Sequence, residues 1–120
     1  MKNPPAIPVH TDDESGVQFA DAGTLGFDPW GRKYMERTDL QGFDGGCVYC
    51  GRPTGNNPAT VSVDPSYGHR VAVVREDTRE AREGAVNALC KTQQGNCYEV
   101  GSTCHKRLKR ALADQGLYLV

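Results

Sequence analysis

The pair Cys47-Val48-Tyr49-Cys50, followed by Gly51 and Arg52 and answered far downstream by Cys97 and Cys104, constrains this chain more than any other feature. A C-x2-C closed by glycine is the sequence form of a zinc knuckle. Two thiolates one tight turn apart both reach an ion at about 2.3 Å, and the glycine accepts the backbone geometry that lets amide groups point at sulfur. Two further cysteines from a distant element would complete one structural, four-thiolate Zn²⁺ site. Five cysteines cannot all pair within one chain, and this spacing in a chain read as cytoplasmic favours metal over disulfides.

Composition explains why such a staple is needed. A chain of 120 residues is one domain's worth, and 38% apolar residues with 14 glycines make little core. The formal net charge of -1 argues against general coating of nucleic acid while leaving local patches open. The sequence has no basic n-region leading into an apolar run and no stretch near the roughly 18 apolar residues of a membrane span, so the expected location is the cytoplasm.

Residues 1–26 are expected to be an extended arm, with Pro4, Pro5, Pro8 and the acidic run Asp12, Asp13, Glu14. Residues 27–120 form the expected zinc-binding domain. Asp28-Pro29-Trp30 predicts a helix start, with Asp28 as cap and Pro29 in the first helical position, running to about residue 37. Phe27, Trp30, Tyr34 and Met35 then make one apolar side. Either it packs on the zinc module, or Trp30 and Tyr34 form a partner-binding patch.

Alternating valines (Val61, Val63; Val71, Val73) on either side of Asp64-Pro65-Ser66-Tyr67-Gly68 predict a hairpin over 59–74. A helix is expected from 76 to about 91, capped by Asp77 or Thr78, with Ala81, Ala85, Val86, Leu89 and Cys90 on one face. A short strand over 97–100 leads to a helix capped by Ser102 or Thr103, running through Leu108, Ala111 and Leu112 to Gly116, and 117–120 predicts an edge strand. Knuckle, hairpin and a helix delivering ligands from its first turn is the element order of a treble clef. The expected fold is therefore a small zinc-stabilised α+β domain with an extended N-terminal arm.

Cys104 falls in the first turn of the last helix, where the dipole favours thiolate. The fourth ligand is contested among cysteines with six residues between each and the next. Cys97, at the start of a strand beside the last helix, is preferred to Cys90 on a helix face, with His105 and His69 in reserve. The expected set is Cys47, Cys50, Cys97 and Cys104.

The segments Cys-Val-Tyr-Cys-Gly-Arg-Pro and Cys-Tyr-Glu-Val-Gly-Ser-Thr-Cys-His-Lys-Arg-Leu resemble those of a group of small zinc-binding proteins of actinobacterial phages and their hosts. The resemblance covers about residues 45–110. It implies zinc at Cys47, Cys50, Cys97 and Cys104 and a phage setting, with no established activity.

Treble clefs also frame HNH-type nucleases, which place an Asp-His pair on the hairpin. Here Pro65 stands where a histidine should follow Asp64, and His69 lies across the turn. No phosphate-binding loop, serine-hydrolase elbow or zinc-protease motif is present, and a closed four-thiolate site offers no open position for substrate. The expectation is a non-enzymatic binding module directed at a host or phage protein. The alternative is a DNA- or RNA-binding finger using Lys106, Arg107, Lys109 and Arg110 on the last helix.

Overall fold

A computed structural model describes residues 6–41, 46–54, 59–64, 67–92 and 96–120. The expected loop residues at 42–45, 55–58, 65–66 and 93–95 lie outside the described residues. In chain order the elements are β1 (Val9–Thr11), β2 (Gln18–Asp21), a 3₁₀ turn (Ala22–Leu25), α1 (Arg32–Gln41), β3 (Ala59–Asp64), β4 (Tyr67–Val74), α2 (Arg79–Thr92), β5 (Asn96–Val100), α3 (Ser102–Ala113) and β6 (Tyr118–Leu119). The strands form one antiparallel sheet in the order β1-β2-β4-β3-β5, and β6 pairs with the end of β4. The chain is thus an α+β domain with helices on an antiparallel sheet.

The valine alternation seen in the sequence works as the pleat requires. Val61 and Val63 in β3, and Val71 and Val73 in β4, are all within 1% of full burial, and the register pairs Val63 with Val71. This face also carries Ala20, Val100 and Leu119, and α3 lays Leu108 and Leu112 on it. The opposite face carries a much smaller cluster, in which Val17, Phe19 and Ala72 meet Leu89 of α2.

The N-terminal segment belongs to the same sheet, although its prolines and carboxylates read as an arm. β2 pairs with β4 over Gln18 to Asp21, and Phe19, Ala20 and Ala22 are buried. The expected boundary between 26 and 27 therefore falls inside one core. Two local devices bring the segment home. Asp12 of the acidic run accepts from the Ser15 hydroxyl at 2.6 Å and the Ser15 amide at 2.9 Å, which folds the β1–β2 turn. At Ile7 the side-chain amide of Gln115 takes the place of a strand neighbour, accepting from the Ile7 N–H at 2.7 Å and donating to its carbonyl at 3.3 Å.

The helix expected from Asp28 starts four residues later, at Arg32. Asp28 to Gly31 instead close a turn, with the Gly31 amide donating to the Asp28 carbonyl at 2.9 Å, and Trp30 takes a left-handed φ of 53°. Phe27 alone of the expected apolar side is fully buried, while Met35 is exposed. In α2, Thr78 is the cap, its hydroxyl accepting from the Ala81 amide at 3.1 Å. Ala85, Ala88 and Leu89 face the sheet, while Val86 and Cys90 are exposed, so Cys90 is not on the packed face.

Candidate metal centre

Two glycines shape the knuckle. Gly46 has φ +85°, and a Cβ there would lie 2.7 Å from the Arg52 carbonyl oxygen; Gly51 has φ +74°. The loop closes through the Cys47 amide donating to the Arg52 carbonyl at 2.8 Å and the Gly51 amide donating to the Cys47 carbonyl at 2.7 Å. It is then fastened to its surroundings by one backbone bond on each side. Val48 N–H donates to the Glu99 carbonyl of β5 at 3.0 Å, and Trp30 N–H donates to the Val48 carbonyl at 2.9 Å. Tyr49, in the middle of the knuckle, stacks at a tilt on Phe27 with ring centroids 4.7 Å apart.

The third thiol comes from α3 by helical periodicity. Cys104, Leu108 and Leu112 follow one another at intervals of four, so the stripe that buries the two leucines in the core also aims Cys104 at the knuckle one turn above them. Gly101, the residue before α3, brings the helix start close, since a Cβ there would sit 3.5 Å from the Cys47 Cβ and 3.8 Å from its sulfur.

The result is that the sulfurs of Cys47, Cys50 and Cys104 all lie within 4.8 Å of one another. Thiolates each about 2.3 Å from a tetrahedral ion stand about 3.8 Å apart, so an adjustment of about 1 Å closes these three on a metal. Cys47 is fully buried, and Cys50 and Cys104 are half-buried.

The three thiols sit in unequal electrostatic surroundings. Burial pushes the Cys47 thiol up, but amide groups of Gly101, Cys50 and Tyr49 donate to it and bring it below the ordinary thiol value. Cys104 is pushed up to about 12, first by burial and then by the charge of Cys47 beside it. The backbone thus favours the thiolate at Cys47, while burial and that charge disfavour a second thiolate at Cys104. Tyr49 is pushed up by burial and by the same two thiols, and its buried hydroxyl has no hydrogen-bond partner among the described residues. A soft, all-sulfur donor set under like-charge repulsion fits a thiophilic divalent ion.

Cys97 is not one of the three. It lies opposite Ser62 in the β3–β5 register, exposed, with its sulfur 3.5 Å from the Ser62 hydroxyl oxygen. The reason is strand parity. Val100 faces the α3 side, and Cys97 stands an odd number of residues before it, so its side chain leaves by the opposite face. The six intervening residues between Cys97 and Cys104 carry no information about that face.

Among the reserve ligands, His69 has its Nε2 3.8 Å from Asp21 Oδ1 in β2. His105 is half-buried, its basicity lowered by burial and then by Lys109. Of the basic helix residues, Lys106, Lys109 and Arg110 are exposed. Arg107 instead serves the fold, donating to the Leu25 carbonyl at 2.5 Å with its guanidinium 4.8 Å from the centre of the Phe27 ring. Trp30 is 40% exposed, with its ring edge-on to Tyr98 at 4.7 Å, and Tyr34 is half-buried on α1.

Arg52 follows from its place beside the knuckle, but sequence reasoning missed Lys33. A pocket of about 310 Å³ opens on the exposed side of the thiols, lined by Cys50, Cys104, Lys33, Arg52, Pro53 and the α3 start at 101–103. No helix among the described residues is long and apolar enough to cross a membrane. No protein-family model, curated protein or solved structure matches this chain.

Proposed function

We propose that this protein is a zinc-stabilised, non-enzymatic binding module that acts on a host or phage protein. The observation that carries the reading is the convergence of three thiols, from segments more than fifty residues apart in sequence, within 4.8 Å. Zinc is the ion of choice for such a donor set because it tolerates tetrahedral sulfur ligation without redox chemistry. The order knuckle, hairpin, ligand-bearing helix supports a treble-clef relationship, with α2 as an insertion between hairpin and final helix.

Trp30 supports a protein partner. Its ring is braced by Tyr98 and its backbone by the knuckle, yet 40% of its surface is open, so an aromatic anchor is presented with little freedom left to lose on binding. A second reading, contact with DNA or RNA phosphates, is favoured by Lys106, Lys109 and Arg110, which are exposed with no ion pair among the described residues.

Two measurements test the proposal. Native mass spectrometry should find one zinc per chain, and chelation should abolish the cooperative melt; an unchanged melt of metal-free protein would overturn the structural-zinc reading. Affinity capture from nuclease-treated lysate should retain a protein with wild type and lose it with Trp30→Ala. Retention that disappears on nuclease treatment would transfer the function to the basic helix.

A further inference from the structure

Three donors leave a tetrahedral ion one ligand short, and the surroundings of the open side have a definite character. Among the described residues no fourth His, Cys, Asp or Glu joins the cluster. Cys97 leaves by the far face of the sheet, and Cys90 is exposed on α2, which packs against that far face. Cys47 is sealed, so the accessible side of the centre is the pocket of about 310 Å³ reached by Cys50 and Cys104.

The pocket's other walls are cationic. Lys33 of α1 and Arg52 of the knuckle both line it, are exposed, and make no ion pair among the described residues. The third wall is the start of α3, whose cap residue Gly101 supplies no side-chain hydrogen bond. Its first-turn N–H groups therefore have no side-chain cap from that residue.

Charge decides what that is. A divalent ion with three thiolates carries -1, and Lys33 and Arg52 bring +2, so one more negative charge balances the centre. A neutral imidazole would leave it positive. An oxyanion satisfies the charge and presents acceptors to a guanidinium fork, an ammonium and helix-start amides together.

We propose that this pocket is an oxyanion site, in which a carboxylate or phosphate oxygen from outside the chain completes the three-thiolate metal centre while Arg52 and Lys33 hold its remaining oxygens. The inference rests on the metal reading given above. With a metal bound, the step would be exchange of ligands alone, the oxyanion oxygen displacing whatever held the open position. The metal would then both staple the fold and contribute directly to recognition of an acidic side chain or a phosphoryl group.

The test uses the full chain loaded with Co²⁺, whose visible bands report coordination number and ligand type. Acetate and inorganic phosphate are titrated separately. The expected result is a saturable band shift with at least one of them, with apparent affinity about tenfold weaker in Arg52→Ala and in Lys33→Ala, as loss of one charge-assisted contact implies. A stronger response to acetate marks a carboxylate source, and a stronger response to phosphate marks a phosphoryl source. Bands that move with neither anion, or that move equally in wild type and both variants, overturn the oxyanion site and leave the metal centre standing. Absence of the intense sulfur-to-cobalt band overturns the metal centre itself. Both substituted side chains are exposed, and the knuckle uses only the backbone carbonyl of Arg52, so the variants retain the fold.

Discussion

The two faces of the sheet are built on different principles. On the α3 side, Val61, Val63, Val71, Val73 and Val100 meet Leu108 and Leu112, and the knuckle with Phe27 and Tyr49 is packed onto the same cluster. On the α2 side, among the described residues, Val17, Phe19, Ala72 and Leu89 form the buried cluster, with Ala85, Ala88 and Val120 packed against them. The first face couples hydrophobic burial to three thiols through the single stripe Cys104, Leu108, Leu112. The second holds α2 by Leu89 and by the Arg82 Nε bond to the Leu119 carbonyl at 3.0 Å. The lesson is that the thiol cluster and the main core are packed as one body, whereas α2 is an attachment to it.

The largest expected effect separates the two faces by their cysteines. Cys47→Ser should lose metal and melt without a cooperative transition, because the binding energy of a structural site is folding energy, on the order of 10 kcal/mol. Cys97→Ser, on the α2 side and exposed, should keep its metal and shift stability by no more than about 0.5 kcal/mol. Metal analysis and thermal melts of the two variants decide it. Loss of metal from Cys97→Ser would break the comparison and restore Cys97 as a ligand.

Two leucines give the next contrast. Leu108→Ala removes a side chain with no exposed surface from the larger cluster and should cost about 4 kcal/mol. Leu89→Ala, 6% exposed in the smaller cluster, should cost about 2 kcal/mol. Hydrogen exchange sharpens the distinction: Leu89→Ala should deprotect α2 alone, and Leu108→Ala should deprotect the whole sheet. Equal costs with global loss of protection in both would show that the faces are not separable.

The smallest effect concerns the start of α2. Thr78→Ala removes the hydroxyl that caps α2 and should destabilise by about 1 kcal/mol, read as a lowered denaturant midpoint with metal content unchanged.

Much of this arrangement is legible in the residues. C-x2-C-G announces the knuckle, valines at intervals of two announce the hairpin, and Thr78 and Leu108 with Leu112 place two helices to within a few residues. The misreadings have local causes. Asp28-Pro29 has the composition of a helix start, but it closes a turn that lets Trp30 reach both Tyr98 and the Val48 carbonyl. The acidic, proline-rich beginning has the composition of an arm, yet Phe19 and Ala20 supply a strand whose burial outweighs it. Neither outcome is encoded within a few residues of the place where it occurs.

The sequence by itself determined that a thiol knuckle exists, that a hairpin follows it, and that Cys104 rides on the buried stripe of a helix, because spacing along a turn, a strand or a helix is a local property. Which cysteines meet was decided only by tertiary structure. Strand parity sends Cys97 through the far side of the sheet, the pairing of β3 with β5 and the Val48 bond to Glu99 bring the knuckle to the start of α3, and Lys33 and Arg52 come together around the remaining opening. Those are contacts between segments distant in the chain, and only the register of the folded sheet sets them.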